Sequence, residues 1–221
     1  MLEGIVFDMD GVLFDTERLF RTCWYQTAEE MKIPVEHREE LINGGVGLNH
    51  NDTRVMFAQK LGKAFPFEEF TKRSAKRFHA LIDREGLPIK EGLHEILDYL
   101  ATTDLKVGIA SSSITERVYK HLEKTGLTQC FSVIIGGDKV EHSKPQPDIY
   151  LKACEELGVN PCNSIAIEDS PNGIKSAYAA GMKVIMIPDM IEATTQIDAL
   201  LYCKLNTLLE MKEYLIRNKI P

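Results

Sequence analysis

The chain has 221 residues, enough for one large domain or for a core carrying a smaller insert. Its 44% hydrophobic and 27% charged residues are those of an ordinary globular protein, and no apolar run approaches membrane-spanning length. The net charge of −7 argues against a protein that tracks nucleic acid through a basic surface.

The first element is the apolar run Ile5 to Phe7, whose lack of helical period suits a buried strand. It ends at Asp8, with a second carboxylate at Asp10 and a chain-breaking Gly11 after it. Alternate residues of an extended chain face opposite ways, so both acids reach one site only if the backbone turns between them. Gly11 permits that turn. Two acids at a strand end suit a hard cation such as Mg²⁺, or a nucleophile beside an acid/base group. An acidic turn after an edge strand fits the same residues.

Strand signals then vanish. Helical periods are predicted over residues 16–31, 35–42, 49–61 and 66–84, with Asn43-Gly44-Gly45 closing the second and Asn49 or Asn51 capping the third. From residue 88 onward, strands alternate with helices. Strands are expected at 105–110, 131–135, 164–167 and 183–187, with a weaker one at 201–203. Helices are expected at 92–102, 115–125, 148–157, 173–180 and 206–216. The alternation implies an α/β fold, a doubly wound parallel sheet with helices on both faces, and a helical insert. The boundaries are 1–14 with 87–221 for the core and 15–86 for the insert. The insert carries twelve basic and twelve acidic residues, so the acidic excess belongs to the core.

In such sheets ligands sit beyond the carboxyl ends of the strands. Ser111 follows the second core strand, where a hydroxyl and backbone N–H groups near a helix start can hold a phosphoryl oxygen. Ser113 or Thr115 suits a helix cap better. Lys144 lies in SKPQPDIY, a loop stiffened by two prolines. Glu168 and Asp169 close the next strand side by side, a repulsion that a cation relieves. Five cysteines, odd in number and without CxxC spacing, read as reduced thiols, and the immediate entry into a strand leaves no room for a signal peptide. A cytoplasmic location is expected.

DMDGVLFD resembles the first motif of the haloacid dehalogenase superfamily. IASSS, GGDKVEHSKPQPDIY and IAIEDSPNGIKSA resemble the other three, in the right order, with Ser143 where glycine is frequent. The layout is most similar to the β-phosphoglucomutase-like branch, with a helical cap after the first motif. The resemblance implies Asp8 as nucleophile and Asp10 as acid/base, with Ser111 and Lys144 holding phosphate. It also implies Mg²⁺ on Asp8, the Asp10 carbonyl, Asp169 and Glu168, the last directly or through water. Gly11, Ser112, Asn172, Lys76 and Gly45 are candidate substrate contacts.

The resemblance also bears on the reaction. Mutases of this branch carry a histidine in the first cap helix, where this chain has Phe20. They carry an arginine in the loop after the second, where it has Leu48 and Asn49, with His50 and Arg54 displaced. Of Lys72, Arg73, Lys76 and Arg77, at least two read as a solvated helix face. The expectation is therefore a monomeric Mg²⁺-dependent phosphohydrolase of a small phosphorylated metabolite, a sugar phosphate first. A sugar phosphomutase comes second and a dehalogenase third. A metabolite-binding module without catalysis is the reading from another class.

Overall fold

The computed structural model describes residues 1–45, 50–191 and 193–218. The chain forms two compact units, Met1–Asp15 with Pro88–Pro221 and, separately, Thr16–Leu87.

The first unit is built on a parallel sheet with six strands among the described residues, in the order β3-β2-β1-β4-β5-β6. The strands are β1 Gly4–Phe7, β2 Lys106–Ser111, β3 Val133–Gly136, β4 Ser164–Glu168, β5 Lys183–Met186 and β6 Cys203–Lys204. β1 and β4 are buried along their whole length, which is why they read as unbroken apolar runs. Five of this unit's helices are α5 Leu93–Leu100, α6 Thr115–Thr125, α7 Asp148–Leu157, α8 Pro171–Ala179 and α10 Leu208–Arg217. One short helix, α9 Thr195–Asp198, lies before β6. Four residues are too few to show a helical period, and the sequence gives no sign of it.

Register positions the chemistry. Phe7 pairs with Ile109 of β2 on one side and Ile167 of β4 on the other. Asp8 therefore emerges level with Ala110 and Glu168, and its N–H donates to Ile167 O at 2.9 Å. The strand order reverses at β1, so this edge is the switch point at which doubly wound sheets bind ligands.

The second unit is helical: α1 Thr16–Glu30, α2 Val35–Gly45, α3 His50–Leu61 and α4 Phe67–Glu85. An aromatic cluster fills it, with Phe57 and Phe70 ring centres 4.9 Å apart and Trp24 edge-on to both. Phe20 stacks on Phe78 at 4.0 Å, which gives it a packing role inside this unit. α2 takes in Asn43-Gly44-Gly45, three residues beyond the expected end of its helical period. The glycines serve close packing: a Cβ on Gly44 would meet Met56 Sδ at 2.9 Å, and one on Gly45 the Trp24 indole at 2.5 Å. Leu48 and Asn49 lie outside the described residues, and Asn51 is inside α3 rather than capping it. Among the described residues no helix is long and apolar enough to cross a membrane.

Candidate active site

At the carboxyl edge of β1 and β4, Lys144 reaches in from the loop before α7. Its ammonium donates to Asp8 Oδ1 and Glu168 Oε1, both at 2.6 Å, and to Ala110 O at 2.9 Å. Only 5% of its side chain is exposed. Burial works against its charge, but Asp8 and Glu168 outweigh that penalty and raise its pKa above the ordinary lysine value. Lys144 is thus a fixed cation.

Glu168 is fully buried and heavily committed. Oε1 accepts from Lys144 and from the Tyr150 hydroxyl at 2.7 Å. Oε2 accepts from Asp169 N at 3.2 Å, Ser170 N at 3.3 Å and Ser170 Oγ at 3.1 Å. Five donors meet about four lone-pair sites. Glu168 is therefore arranged as the counter-charge that holds Lys144. Burial, then Glu168, pushes the Tyr150 phenol well up, so it remains a donor.

One oxygen each of Asp8, Glu168 and Asp169 lies within 4.8 Å of the others. Three carboxylates converge here, two of them on one ammonium, in a site where Asp8 is 7% and Asp169 8% exposed. The strain falls on Asp8: burial pushes its carboxyl up to about 8, Lys144 pulls the other way, and Glu168 adds to the rise. Hard oxygen donors gathered this closely fit a small divalent cation such as Mg²⁺.

Two glycines make this crowding possible. Gly11 has φ +88°, and a Cβ there would run into the Asp169 carboxylate. A Cβ on Gly173, in the first turn of α8, would overlap the Glu168 carboxylate.

Asp10 meets groups on the turn into α6. Its Oδ2 accepts from Ser113 Oγ at 2.8 Å, and Oδ1 lies 3.6 Å from Arg117 Nη2. Ser111 is buried, and its Oγ accepts from Ser113 N at 3.1 Å. Neither Ser113 nor Thr115 caps α6 as expected. The N-cap is Ile114, and Thr115 donates through N and Oγ1 to Asp138 Oδ1 at 2.6 and 2.7 Å. Ser112 is exposed at this turn, and Asn172 is half-buried in the first turn of α8. Lys76 is exposed on α4 and Gly45 buried at the end of α2, both in the helical unit.

Sequence reasoning passed over Tyr150, Arg117 and Asp138. A tyrosine or arginine on an amphipathic helix reads as core or surface, and only the fold shows which carboxylate it meets.

A haloacid dehalogenase-like hydrolase family model matches residues 5–187, and the chain belongs to that family, in its β-phosphoglucomutase-like branch. It is 30% identical over 184 residues to the phosphorylated carbohydrates phosphatase of Thermotoga maritima, covering 83% of this chain and 84% of that one. It is 29% identical over 195 residues to the β-phosphoglucomutase of Bacillus subtilis, covering 82% and 81%. The crystal structure of CbbY from Rhodobacter sphaeroides with phosphate superposes with a TM-score of 0.77 at 26% identity, over 96% of both chains.

Proposed function

We propose that this protein is a Mg²⁺-dependent phosphatase of a small phosphorylated metabolite, a sugar phosphate first, working through a phosphorylated Asp8. The observation that carries this reading is the buried trio of carboxylates, Asp8, Glu168 and Asp169, gathered at a strand-end site with Lys144 on two of them. A phosphatase of phosphorylated carbohydrates and a phosphate-bound structure among its relatives support it.

In this reading Asp8 and Asp169, with the Asp10 carbonyl, would hold Mg²⁺, and Glu168 contributes its charge from behind Lys144. When bound, the ion neutralises negative charge on the phosphoryl oxygens. An Asp8 oxygen attacks phosphorus in line. The new O–P bond forms as the ester O–P bond breaks, and the Asp10 carboxyl gives its proton to the departing oxygen. Asp10, now a carboxylate, then takes a proton from water, whose oxygen attacks phosphorus. The acyl-phosphate O–P bond breaks, releasing inorganic phosphate and restoring Asp8. Lys144 and Ser111 hold phosphoryl oxygens throughout, since phosphoryl transfer depends chiefly on positioning and neutralised charge. Discrimination among substrates is assigned, by the family resemblance, to the helical unit and Lys76.

A phosphomutase is the second reading, favoured by the β-phosphoglucomutase relative. Phe20, stacked on Phe78 where the resemblance implies a histidine, weighs against it. The test incubates the protein with Mg²⁺ and a panel of phosphorylated sugars, nucleotides and glycerol phosphates, following released phosphate and sugar isomerisation together. Phosphate release that needs Mg²⁺ and is lost in Asp8→Asn is expected. Interconversion of hexose 1- and 6-phosphates with little free phosphate would overturn the choice for the mutase, and silence in both channels would leave a binding module.

A further inference from the structure

The turn from β2 into α6 carries Ser111, Ser112, Ser113 and Thr115, and the structure divides their work unequally. The start of α6 is served from outside, by Asp138 accepting twice from Thr115. Ser111 Oγ accepts from the backbone of Ser113, and Gly137 N donates to Ser113 O at 2.9 Å. Ser113 is thereby pinned through its main chain on both sides. Its hydroxyl, spared from capping, donates to Asp10 Oδ2 at 2.8 Å. One turn further on, Arg117 brings a guanidinium to 3.6 Å from the other Asp10 oxygen. That separation is beyond hydrogen-bond length, so Arg117 adds attraction and Ser113 adds direction.

We propose that Ser113 and Arg117 are positioning residues for Asp10, fixing the rotamer from which its carboxyl exchanges a proton with the leaving-group oxygen. The inference rests on the hydrolase reading and on Asp10 as its acid/base. Its physical content is preorganisation: an acid already oriented pays no rotamer entropy when the P–O bond breaks.

The consequence depends on the leaving group. An alkoxide departs only with a proton, whereas p-nitrophenolate departs without one. The experiment is a single-turnover measurement, enzyme in excess with Mg²⁺, of leaving-group release from p-nitrophenyl phosphate and from a primary alkyl phosphate that the protein accepts. Such turnovers report the first transfer alone. Ser113→Ala is expected to slow release from the alkyl ester about tenfold, and from the aryl ester less than about twofold. Ser113→Thr keeps the hydroxyl and restores the alkyl rate, and Arg117→Gln shows the same bias at smaller size. In an Asp10→Ala background, Ser113→Ala adds no further loss. Equal slowing of both esters, no slowing of either, or a full additional loss in that background would overturn the assignment. The unmodified protein's aryl rate tests the hydrolase reading, while the ratio between esters tests Ser113, so the two failures look different.

Discussion

Two ionic clusters in this protein are near mirror images. At the strand ends one cation, Lys144, sits between two carboxylates, Asp8 and Glu168, at 2.6 Å each. In the helical unit one carboxylate, Glu30, sits between two guanidiniums, Arg73 at 2.5 Å and Arg77, and Arg73 reaches on to Glu69 at 2.7 Å. The geometries are equally tight, but the surroundings are not. Lys144 is 5% exposed and Glu168 not at all, whereas Glu30 and Arg73 are 40% and 43% exposed. Water screens the second cluster and replaces any partner that is lost, but it does neither for the first. Distance does not rank ionic contacts; access to water does.

The strongest way to break this comparison is Lys144→Met, which keeps length and removes charge. Asp8 and Glu168 are then left buried without their counter-ion, and a loss of about 3–5 kcal/mol in urea unfolding is expected, with turnover abolished. A loss below about 1 kcal/mol would place the cluster in the screened class.

The pH dependence sharpens the same point. The Asp8 carboxyl is raised from its ordinary 3.8 to about 8, so the folded protein prefers it protonated. A raised folded-state value means stability is fully present below the ordinary value and is lost as pH climbs toward the raised one. In EDTA, the unfolding midpoint should fall between about pH 4 and about pH 8. Lys144, raised above the lysine range, does not titrate in that window. On the proposed reading Mg²⁺ competes with the proton for Asp8, so its stabilisation at fixed concentration should grow with pH and level off above about 8. Stabilisation that shrinks as pH rises would contradict a metal held by Asp8.

How much of this was legible in the chain follows from range. Strand ends are local: an apolar run meeting a polar residue put Asp8, Ser111, Glu168 and Asp169 at carboxyl edges, and the observed strands differ from expectation by a residue or two. β2 runs Lys106–Ser111 instead of 105–110, because inter-strand pairing carries Ser111 into the ladder opposite Gly136. Lys144 was visible through its motif. The partners of these groups were not, because Ser113–Asp10 and Tyr150–Glu168 join residues 103 and 18 positions apart through tertiary packing. Gly44 and Gly45 misled for a related reason. Glycine in a helical stretch reads as a stop, and only the Trp24 and Met56 side chains show why the helix tolerates both.

Smaller changes probe the packing of the buried cluster. Gly173→Ala forces a methyl into the Glu168 carboxylate and should cost about 1–3 kcal/mol, read from the same urea transitions. Tyr150→Phe keeps the ring and removes one of the donors to Glu168, at about 1 kcal/mol.

The smallest effect is reserved for the exposed cluster, and it is the one that tests the comparison from its other side. Arg77 and then Arg73 hold Glu30's carboxyl below its ordinary value, and Glu69 and Glu30 raise Arg73, so each charge favours its neighbours. All the same, Glu30→Ala should leave the urea midpoint nearly unchanged, since Arg73 keeps Glu69 and water takes the vacated places. Salt supplies the control. Any residual contribution from Glu30 should fade between low and physiological ionic strength, whereas the Lys144→Met loss should not. A Glu30→Ala loss as large as that of Lys144→Met, and as indifferent to salt, would mean that the guanidinium pair is desolvated in solution. Tight geometry, rather than access to water, would then be what ranks the two clusters.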